Sequence, residues 1–310
     1  MTNKMTFTWS ASQNEEGWLL RDFLTDVKKI SKRALTHIKF KGGKIEVNGV
    51  EVTVRYILRA GDEVSVTYPP EKVSEWIIPV QIPLKIVYED DHVLVINKQP
   101  YLPTIPSRNN VEKSLAGAVI HYYREKQIPS TFHAVNRLDK NTSGMMLIAK
   151  HRYIHDLFSK MQRDEKIDRT YVALVHGVVH KDKGKIEAPI AKKETSIIER
   201  EVSPTGQHAV THYKVIERFR DYTLLELRLE TGRTHQIRVH LSAINFPIVG
   251  DEVYSNGKNP FGIKGQLLHA QKLEFKHPIT KKQMKLEAPI PKEFEDIIRR
   301  LRDEENFKCR

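Results

Sequence analysis

The first quarter of the chain carries apolar residues at helical spacing, followed by short strand-like segments. One apolar stripe covers residues 18–27, and Ser31 is a typical N-cap for a second helix. A glycine pair at 42–43 ends that helix, and Asn48-Gly49 marks a tight turn between strands. This pattern predicts a small unit of two helices and several strands at residues 14–76.

The remainder of the chain alternates between strands and helices, with strands in the majority. Leu225, Leu227 and Leu229 alternate with charged residues, which is typical of a half-buried strand. Helices are predicted at about 111–126, 151–162, 234–244 and 292–302. Frequent hairpin-like turns favour an α+β domain on a mixed, largely antiparallel sheet at residues 84–302. Residues 77–83 are proline-rich and predict a linker between the two units.

Charge changes this picture, because the chain carries a net charge of +12 with a pI near 9.5. A strongly basic balance favours a polyanionic partner, although a merely solvated basic surface gives the same total. The charge is uneven: residues 17–44 hold eight basic and two acidic side chains, whereas residues 45–77 hold three and six. The helical half of the first unit is therefore a basic surface suited to phosphate contacts.

This first unit resembles an S4 RNA-binding domain in its Ser-Lys-Arg-Ala-Leu helix start at 31–35, its strand entry at 42–47, its Val-Asn-Gly turn at 47–49 and its segment at 58–64. The resemblance implies a two-helix face that docks on structured RNA. The basic residues that it implies as RNA contacts are Lys28, Lys29, Lys32, Arg33, Lys39, Lys41 and Lys44.

Several classes of protein are disfavoured by composition. No apolar run approaches the ~18 residues of a membrane span, and the N-terminal residues lack a signal-peptide pattern. The single cysteine, Cys309, allows no internal disulfide, which fits a reducing compartment. We therefore expect a cytoplasmic protein with no membrane association.

The strongest candidate for chemistry is an aspartate in the segment Asn136–Gly144. Asp139 lies two residues after Arg137 and beside Lys140, just before an apolar strand. Neighbouring cations and backbone N–H groups would stabilise the charged carboxylate. Such a group serves better as a nucleophile or electrostatic stabiliser than as a general acid. In isolation, an Arg-x-Asp sequence is more often a structural ion pair.

Two further clusters strengthen a catalytic interpretation. The segment Arg169–Gly177 places a basic residue and Tyr171 at the start of an apolar strand. The segment Thr231–His240 packs two arginines and two histidines around a predicted helix N-terminus, which suits a phosphate or a carboxylate.

With these segments, the region from about Ile82 to Pro289 resembles the RluA-type family of RNA pseudouridine synthases. The segments Pro247–Asp251, Leu267–Ala270 and Phe275–Pro278 extend the match in order. The resemblance implies a pseudouridine synthase fold. One position departs from the family, whose loop usually begins His-Arg-Leu-Asp, because this chain has Asn136, which cannot titrate.

The resemblance also implies roles for individual residues. Asp139 would be the essential carboxylate, which attacks the ribose C1′ or the uracil ring, or stabilises charge at C1′. Arg137 would help to displace the target uridine, Tyr171 would stack on its base, and Arg238 would pair with Asp139. Leu268 would line the pocket, and Arg233 would contact RNA.

The implied reaction is an isomerisation, which needs no cofactor and no metal. The sequence holds no dinucleotide fingerprint and no phosphate-binding Gly-Lys-Ser/Thr loop. Spaced histidine pairs lack the carboxylate or cysteine that would complete a zinc site. The expected partner of a monomeric enzyme is structured RNA, with large-subunit ribosomal RNA favoured and transfer RNA as the alternative.

Two other functions compete with this one. A non-catalytic RNA-binding or ribosome-assembly factor would use the same basic unit, and Asn136 is compatible with it. A glycosidase would need a pair of carboxylates, and Asp139 has no second acid in these motifs.

Overall fold

The computed structural model describes residues 5–71, 75–106, 113–164 and 166–308. Cys309 and the first two residues of the helix predicted at 111–126 lie outside these ranges. The first unit contains β1 (Thr6–Ser10), α1 (Leu20–Asp22), which continues as a π-helical turn (Phe23–Val27), α2 (Lys32–Phe40), β2 (Lys44–Val47), β3 (Val50–Glu51) and β4 (Glu63–Thr67).

The four strands of this unit form one antiparallel sheet in the order β1-β4-β2-β3. Ser31 caps α2 as predicted, because its side chain accepts a hydrogen bond from the Ala34 N–H at 3.2 Å. Strand β1 precedes the predicted start of the unit at residue 14. Because β1 pairs with β4 along its whole length, the sheet extends the unit toward the N-terminus.

The second unit begins with the edge strand β5. Its elements are β5 (Ile86–Glu89), β6 (Val93–Lys98), α3 (Leu115–Glu125), β7 (His133–Ala134), β8 (Ser143–Ala149), α4 (Arg152–Arg163), β9 (Ile167–His176), β10 (Lys183–Glu187), β11 (Ile190–Lys192), β12 (Arg200–Val202), β13 (Val210–Arg218), β14 (Tyr222–Leu229), α5 (Gln236–Ala243), β15 (Leu268–Lys276), β16 (Gln283–Glu287) and α6 (Lys292–Lys308).

Ten of these strands form one mixed sheet, whose main path runs β10-β13-β14-β9-β15-β8-β6-β5. Among the described residues, β15 and β8 are the one parallel pair in this sheet, and the other pairs are antiparallel. The predicted α+β class with a largely antiparallel sheet is therefore confirmed. None of the helices in the described part of the chain is long and apolar enough to cross a membrane.

Helices cover both faces of the sheet, and the strand periodicity of two assigns side chains to each face. In β9, Tyr171, Ala173 and Val175 pack in the same cluster as residues of α3 and α5. The intervening Val172 and Leu174 pack with α6 on the opposite face. The site described below lies on the α5 side.

The two units share a hydrophobic cluster. Phe7 and Tyr68 of the first unit pack against Tyr153 of α4, with ring centroids 4.8 and 5.8 Å from its ring. The Tyr153 hydroxyl also donates to the Lys28 carbonyl at 2.8 Å. The first unit is thus docked on the second by apolar burial and by hydrogen bonds to backbone groups.

Several elements differ from the predictions. Helix α6 runs to residue 308 rather than ending near 302, so the charged segment after residue 302 is helical. Strands β10 to β13 were not predicted at all. They are rich in charged residues, and β10 buries only Ile186, so the alternation is weak.

Gly144 sets the spacing between the two parallel strands. It has φ of +111°, and a Cβ built there would lie 2.2 Å from the Ala270 carbonyl oxygen and 2.6 Å from its nitrogen. The backbone of Ala270 cannot withdraw without breaking the pairing of β15 with β8. Only glycine allows this approach.

We expect Gly144→Ala to lower the free energy of unfolding by about 3 kcal/mol more than Gly257→Ala. Gly257 also has a positive φ, but a Cβ there meets nothing within 4 Å. Urea unfolding of both variants measures the difference. Equal losses would show that the close approach to Ala270 carries no special cost.

Candidate active site

Asp139 lies in the turn that leads into β8. Its backbone carbonyl accepts a hydrogen bond from the Thr142 N–H at 3.1 Å, which closes the turn. The preceding Leu138 is buried, so the turn is anchored on the apolar core. The Asp139 side chain remains 28% exposed and faces solvent from the α5 side of the sheet.

Arg238 in the first turn of α5 holds this carboxylate. Its Nη1 donates to Asp139 Oδ2 at 3.0 Å, while Nε and Nη2 donate to the two oxygens of Asp251 at 2.7 and 2.9 Å. Burial acts to lower the pKa of Arg238, but the hydrogen bonds and charge of Asp251, together with Asp139, outweigh it and raise the pKa. Arg238 therefore stays charged between two carboxylates.

The cations that are adjacent in sequence do not perform this task. The side chains of Arg137 and Lys140 are exposed, and within the described residues neither makes an ion pair or hydrogen bond. The direct contact with Asp139 comes instead from Arg238, 99 residues away, which the family resemblance implied as its partner. Exposure leaves Arg137 available for a bound nucleic acid.

Asn136 has a structural role. It is 5% exposed; its Nδ2 donates to the Met145 carbonyl at 3.2 Å and its Oδ1 accepts from the Leu147 N–H at 2.8 Å. Both bonds tie the start of the turn to β8. The side chain contacts the strand backbone and makes no hydrogen bond to Asp139.

Lys98 at the end of β6 supports the same turn and was missed by sequence reasoning. Its Nζ donates to the carbonyls of Gln99, Leu102 and Lys140 at 3.1, 2.9 and 3.1 Å. Burial lowers the pKa of Lys98 to about 7, opposed by the charge of Asp139. Three carbonyl acceptors match the three donors of the ammonium form. No local pattern could have revealed the contact with the Lys140 carbonyl, which lies 42 residues from Lys98.

The remaining predicted pocket residues, Tyr171 and Leu268, share an apolar cluster with Leu138, the residue before Asp139. Tyr171 and Leu268 are each 5% exposed and belong to one apolar cluster with Leu138 and Ile237. Burial raises the pKa of Tyr171. The positive charge of Arg169 opposes this shift, and the negative charge of Asp139 reinforces it. Asp139 therefore stands at the edge of an apolar floor that contains an aromatic ring.

Two further arginines, Arg233 and Arg169, form no ion pair with Asp139. Arg233 is exposed and donates from Nε to the His208 carbonyl at 3.0 Å, so it does not join Arg238. Arg169 is 8% exposed, and its buried Nε has no hydrogen-bond partner among the described residues. Sequence reasoning noted Arg169 but gave it no role.

The basic residues predicted to contact RNA divide into two sets. Lys32 and Lys39 line a groove of about 530 Å³ on the first unit, together with Arg21 and the acidic Asp22 and Asp26. Lys29, Arg33 and Lys41 are also exposed but do not line this groove.

Lys28 and Lys44 make contacts with other side chains of the first unit, although Lys44 is also exposed. Lys28 lies over the rings of Trp9 and Phe23, and burial lowers its pKa. Lys44 is paired with Glu46 at 2.6 Å. In the described ranges, no group of three or more His, Cys, Asp or Glu side chains is arranged to hold a metal ion.

Comparison with known proteins places the chain in a family. Residues 92–243 match the family model for RNA pseudouridylate synthase. The chain is 47% identical to the uncharacterized RNA pseudouridine synthase YjbO of Bacillus subtilis over 270 residues, which covers 87% of this chain and 95% of that protein. It is 32% identical to the ribosomal large subunit pseudouridine synthase D of Haemophilus ducreyi over 322 residues, with 99% and 98% covered.

Solved structures agree on the fold. Human RNA pseudouridylate synthase domain containing 4 has a TM-score of 0.58 at 24% identity, covering 70% of this chain and 92% of that one. Human RNA pseudouridylate synthase domain containing 1 has a TM-score of 0.55 at 22% identity, with 71% and 95% covered. The predicted pseudouridine synthase fold is confirmed.

The chain belongs to the RNA pseudouridylate synthase family, as its resemblance to the RluA-type enzymes predicted. The enzyme class is therefore confirmed and is favoured over a glycosidase or a non-catalytic factor. The family model begins at residue 92, so it leaves out the first unit, whose S4 resemblance remains a prediction.

We expect Lys98→Met to lower the free energy of unfolding by about 3 kcal/mol, because it leaves buried carbonyls without donors. Urea unfolding measures this loss, and Lys140→Met is the matched control in the same turn. The control should stay within about 0.5 kcal/mol of wild type, since its side chain is exposed. Equal stability of the two variants would contradict an anchoring role for Lys98.

Proposed function

We propose that this chain isomerises specific uridines to pseudouridine in large-subunit ribosomal RNA, with Asp139 as the essential carboxylate. The observation that carries the proposal is the asymmetry of that carboxylate. Oδ2 is held by Arg238 at 3.0 Å, whereas Oδ1 has no hydrogen-bond partner among the described residues. A fixed carboxylate with one open oxygen, beside an apolar floor, suits attack on a flipped base or its ribose.

The chemistry requires no outside reagent. The C1′–N1 bond of uridine breaks, the uracil rotates, and a C1′–C5 bond forms. C5 loses its proton and N1 gains one, so atoms and electrons balance within the nucleotide. Asp139 Oδ1 would act on C1′ or on the ring, and Tyr171 would stack on the base and assist removal of the C5 proton.

Arg137 and the apolar pocket account for access to the base. Flipping a base out of structured RNA costs a few kcal/mol, which contacts in the pocket offset. Arg137 is exposed two residues before Asp139, where its guanidinium can fill the space left by the extruded uridine. Leu268 would line the pocket, and Arg233 would contact the RNA backbone near the N-terminus of α5.

One observation favours ribosomal RNA, and a second favours structured RNA in general. A relative that matches nearly the whole chain is a ribosomal large subunit pseudouridine synthase. The first unit adds a groove with Arg21, Lys32 and Lys39, and structured RNA is recognised through its backbone and shape. We therefore propose that this unit is an S4-like RNA-binding module of a monomeric cytoplasmic enzyme, with transfer RNA as the competing substrate.

We expect Asp139→Asn to abolish pseudouridine formation, with a fall of about a thousand-fold or more in the conversion rate and little change in RNA affinity. The assay is incubation with ribosomal and transfer RNA transcripts, followed by pseudouridine mapping. Asp303→Asn on the exposed face of α6 is the charge-matched control and should convert at the wild-type rate. Undiminished conversion by Asp139→Asn would remove the carboxylate from the mechanism.

A separate test addresses the basic groove. We expect the double variant Lys32→Gln, Lys39→Gln to weaken RNA binding and to reduce the slope of log affinity against log salt by about 2, since two phosphate contacts are lost. Lys183→Gln with Lys214→Gln, exposed at the β10 edge of the large sheet, removes the same charge elsewhere. An identical slope for both double variants would exclude the groove as a phosphate site.

A further inference from the structure

A chain of polar contacts connects the β11–β12 hairpin to the candidate carboxylate. The Arg200 backbone N–H donates to the Tyr254 hydroxyl at 2.9 Å. That hydroxyl lies 2.9 Å from His235 Nδ1, and His235 Nε2 lies 3.8 Å from Asp139 Oδ2. Neither His235 nor Tyr254 has a role in the reaction as described so far.

The hydrogen-bond directions along this chain depend on the tautomer of His235. The Tyr254 oxygen accepts the Arg200 N–H, and its own proton can go to His235 Nδ1 when that nitrogen is unprotonated. A neutral imidazole that accepts at Nδ1 carries its proton on Nε2. The N–H at Nε2 therefore faces Asp139 Oδ2. The gap of 3.8 Å is about 1 Å longer than a hydrogen bond, and a small movement of the carboxylate closes it.

The charged groups around His235 favour this neutral form. Burial lowers the pKa of His235; the negative charge of Asp139 opposes that shift, and the positive charges of Arg238 and Arg200 reinforce it. Asp251 adds a smaller opposing effect. His235 thus approaches the carboxylate as a neutral donor beside the cation that already holds it.

The surroundings of Tyr254 fix the chain in place. Asp251 Oδ1 accepts the backbone N–H groups of Val253 and Tyr254 at 3.1 Å each, while Asp251 also binds Arg238. The Arg238 guanidinium lies over the Tyr254 ring at 4.9 Å. Tyr254, Arg238 and Asp251 therefore form one connected set of contacts, and His235 joins it through the Tyr254 hydroxyl.

The backbone conformation at His235 also sets the direction of its side chain. His235 caps α5 with φ of 58°, a left-handed conformation that is uncommon for residues other than glycine and in which asparagine, aspartate and histidine are enriched. Its side chain makes no capping bond to the helix. The left-handed backbone instead directs the imidazole between Tyr254 and Asp139, 12% exposed.

We propose that His235, oriented by Tyr254, is a positioning residue that shares Oδ2 of Asp139 with Arg238 and so directs Oδ1 at the uridine. This inference rests on the proposed function. Because the first donor of the chain is a backbone N–H of β12, the placement of the hairpin is coupled to the carboxylate. The hairpin exposes Ile197 and Ile198 at its turn, 83% and 60% accessible, so it is open to contact by the RNA substrate.

The test is His235→Asn, which suits the left-handed N-cap position and can still accept the Tyr254 proton but cannot reach Asp139. We expect its single-turnover conversion rate to fall about ten- to a hundred-fold while the RNA dissociation constant stays within about two-fold of wild type. His235→Gln places an amide N–H near the Nε2 position and should regain part of the rate.

Tyr254→Phe provides an independent arm, because it keeps the ring beneath Arg238 and removes only the hydroxyl. It should slow conversion in the wild-type background and have no further effect in the His235→Asn background, since Tyr254 acts through His235. If His235→Asn does not fold, Tyr254→Phe alone carries the test: slower single-turnover conversion with unchanged RNA affinity is expected, and a wild-type rate would overturn the inference.

The outcomes separate this inference from the proposed function. A wild-type rate for His235→Asn, or additive losses in the double variant, would overturn the positioning role while Asp139→Asn remained inactive. A loss of RNA affinity with an unchanged single-turnover rate would also overturn it. If wild-type protein converted no uridine, the proposed function itself would fail.

Discussion

The buried ion pair network Asp139–Arg238–Asp251 is the interaction on which the site depends. Arg238 is 8% exposed in its side chain and Asp251 is fully buried, so these charges are stable only as a set. Removing one partner of a buried ion pair typically costs about 3–5 kcal/mol, because the other charge is left unpaired. The network joins the Asp139 turn, the start of α5 and the segment after it.

The strand framework supplies the rigidity that this network requires. Gly144 lets β8 and β15 approach closely, and Asn136 and Lys98 tie the turn to β8 and β6. Thr104 adds a further bond from its hydroxyl to the Leu138 carbonyl at 2.7 Å. The turn that carries Asp139 is thus held by contacts on several sides, which limits the motion of its carboxylate to small adjustments.

The contrast between predicted and unpredicted features has a physical cause. Asp139, Arg238 and Tyr171 stand in recognisable motifs, and the structure brings them together. An unbroken apolar run likewise predicted β8, and the helix predicted at 151–162 corresponds to α4. Strand β1 was missed because its pairing with β4 is more than fifty residues away in sequence. Lys98 and Tyr254 each have a partner distant along the chain, the Lys140 carbonyl and the Arg200 N–H, which no local pattern encodes.

We propose that one carboxylate carries the chemistry and that a separate basic unit captures the RNA. The decisive experiment is transcriptome-wide pseudouridine mapping in cells that lack the protein, with wild-type or Asp139→Asn protein returned to them. We expect one or a few pseudouridines to vanish from large-subunit ribosomal RNA and to return only with wild-type protein. An unchanged pseudouridine profile in every cellular RNA, or full restoration by Asp139→Asn, would contradict this proposal.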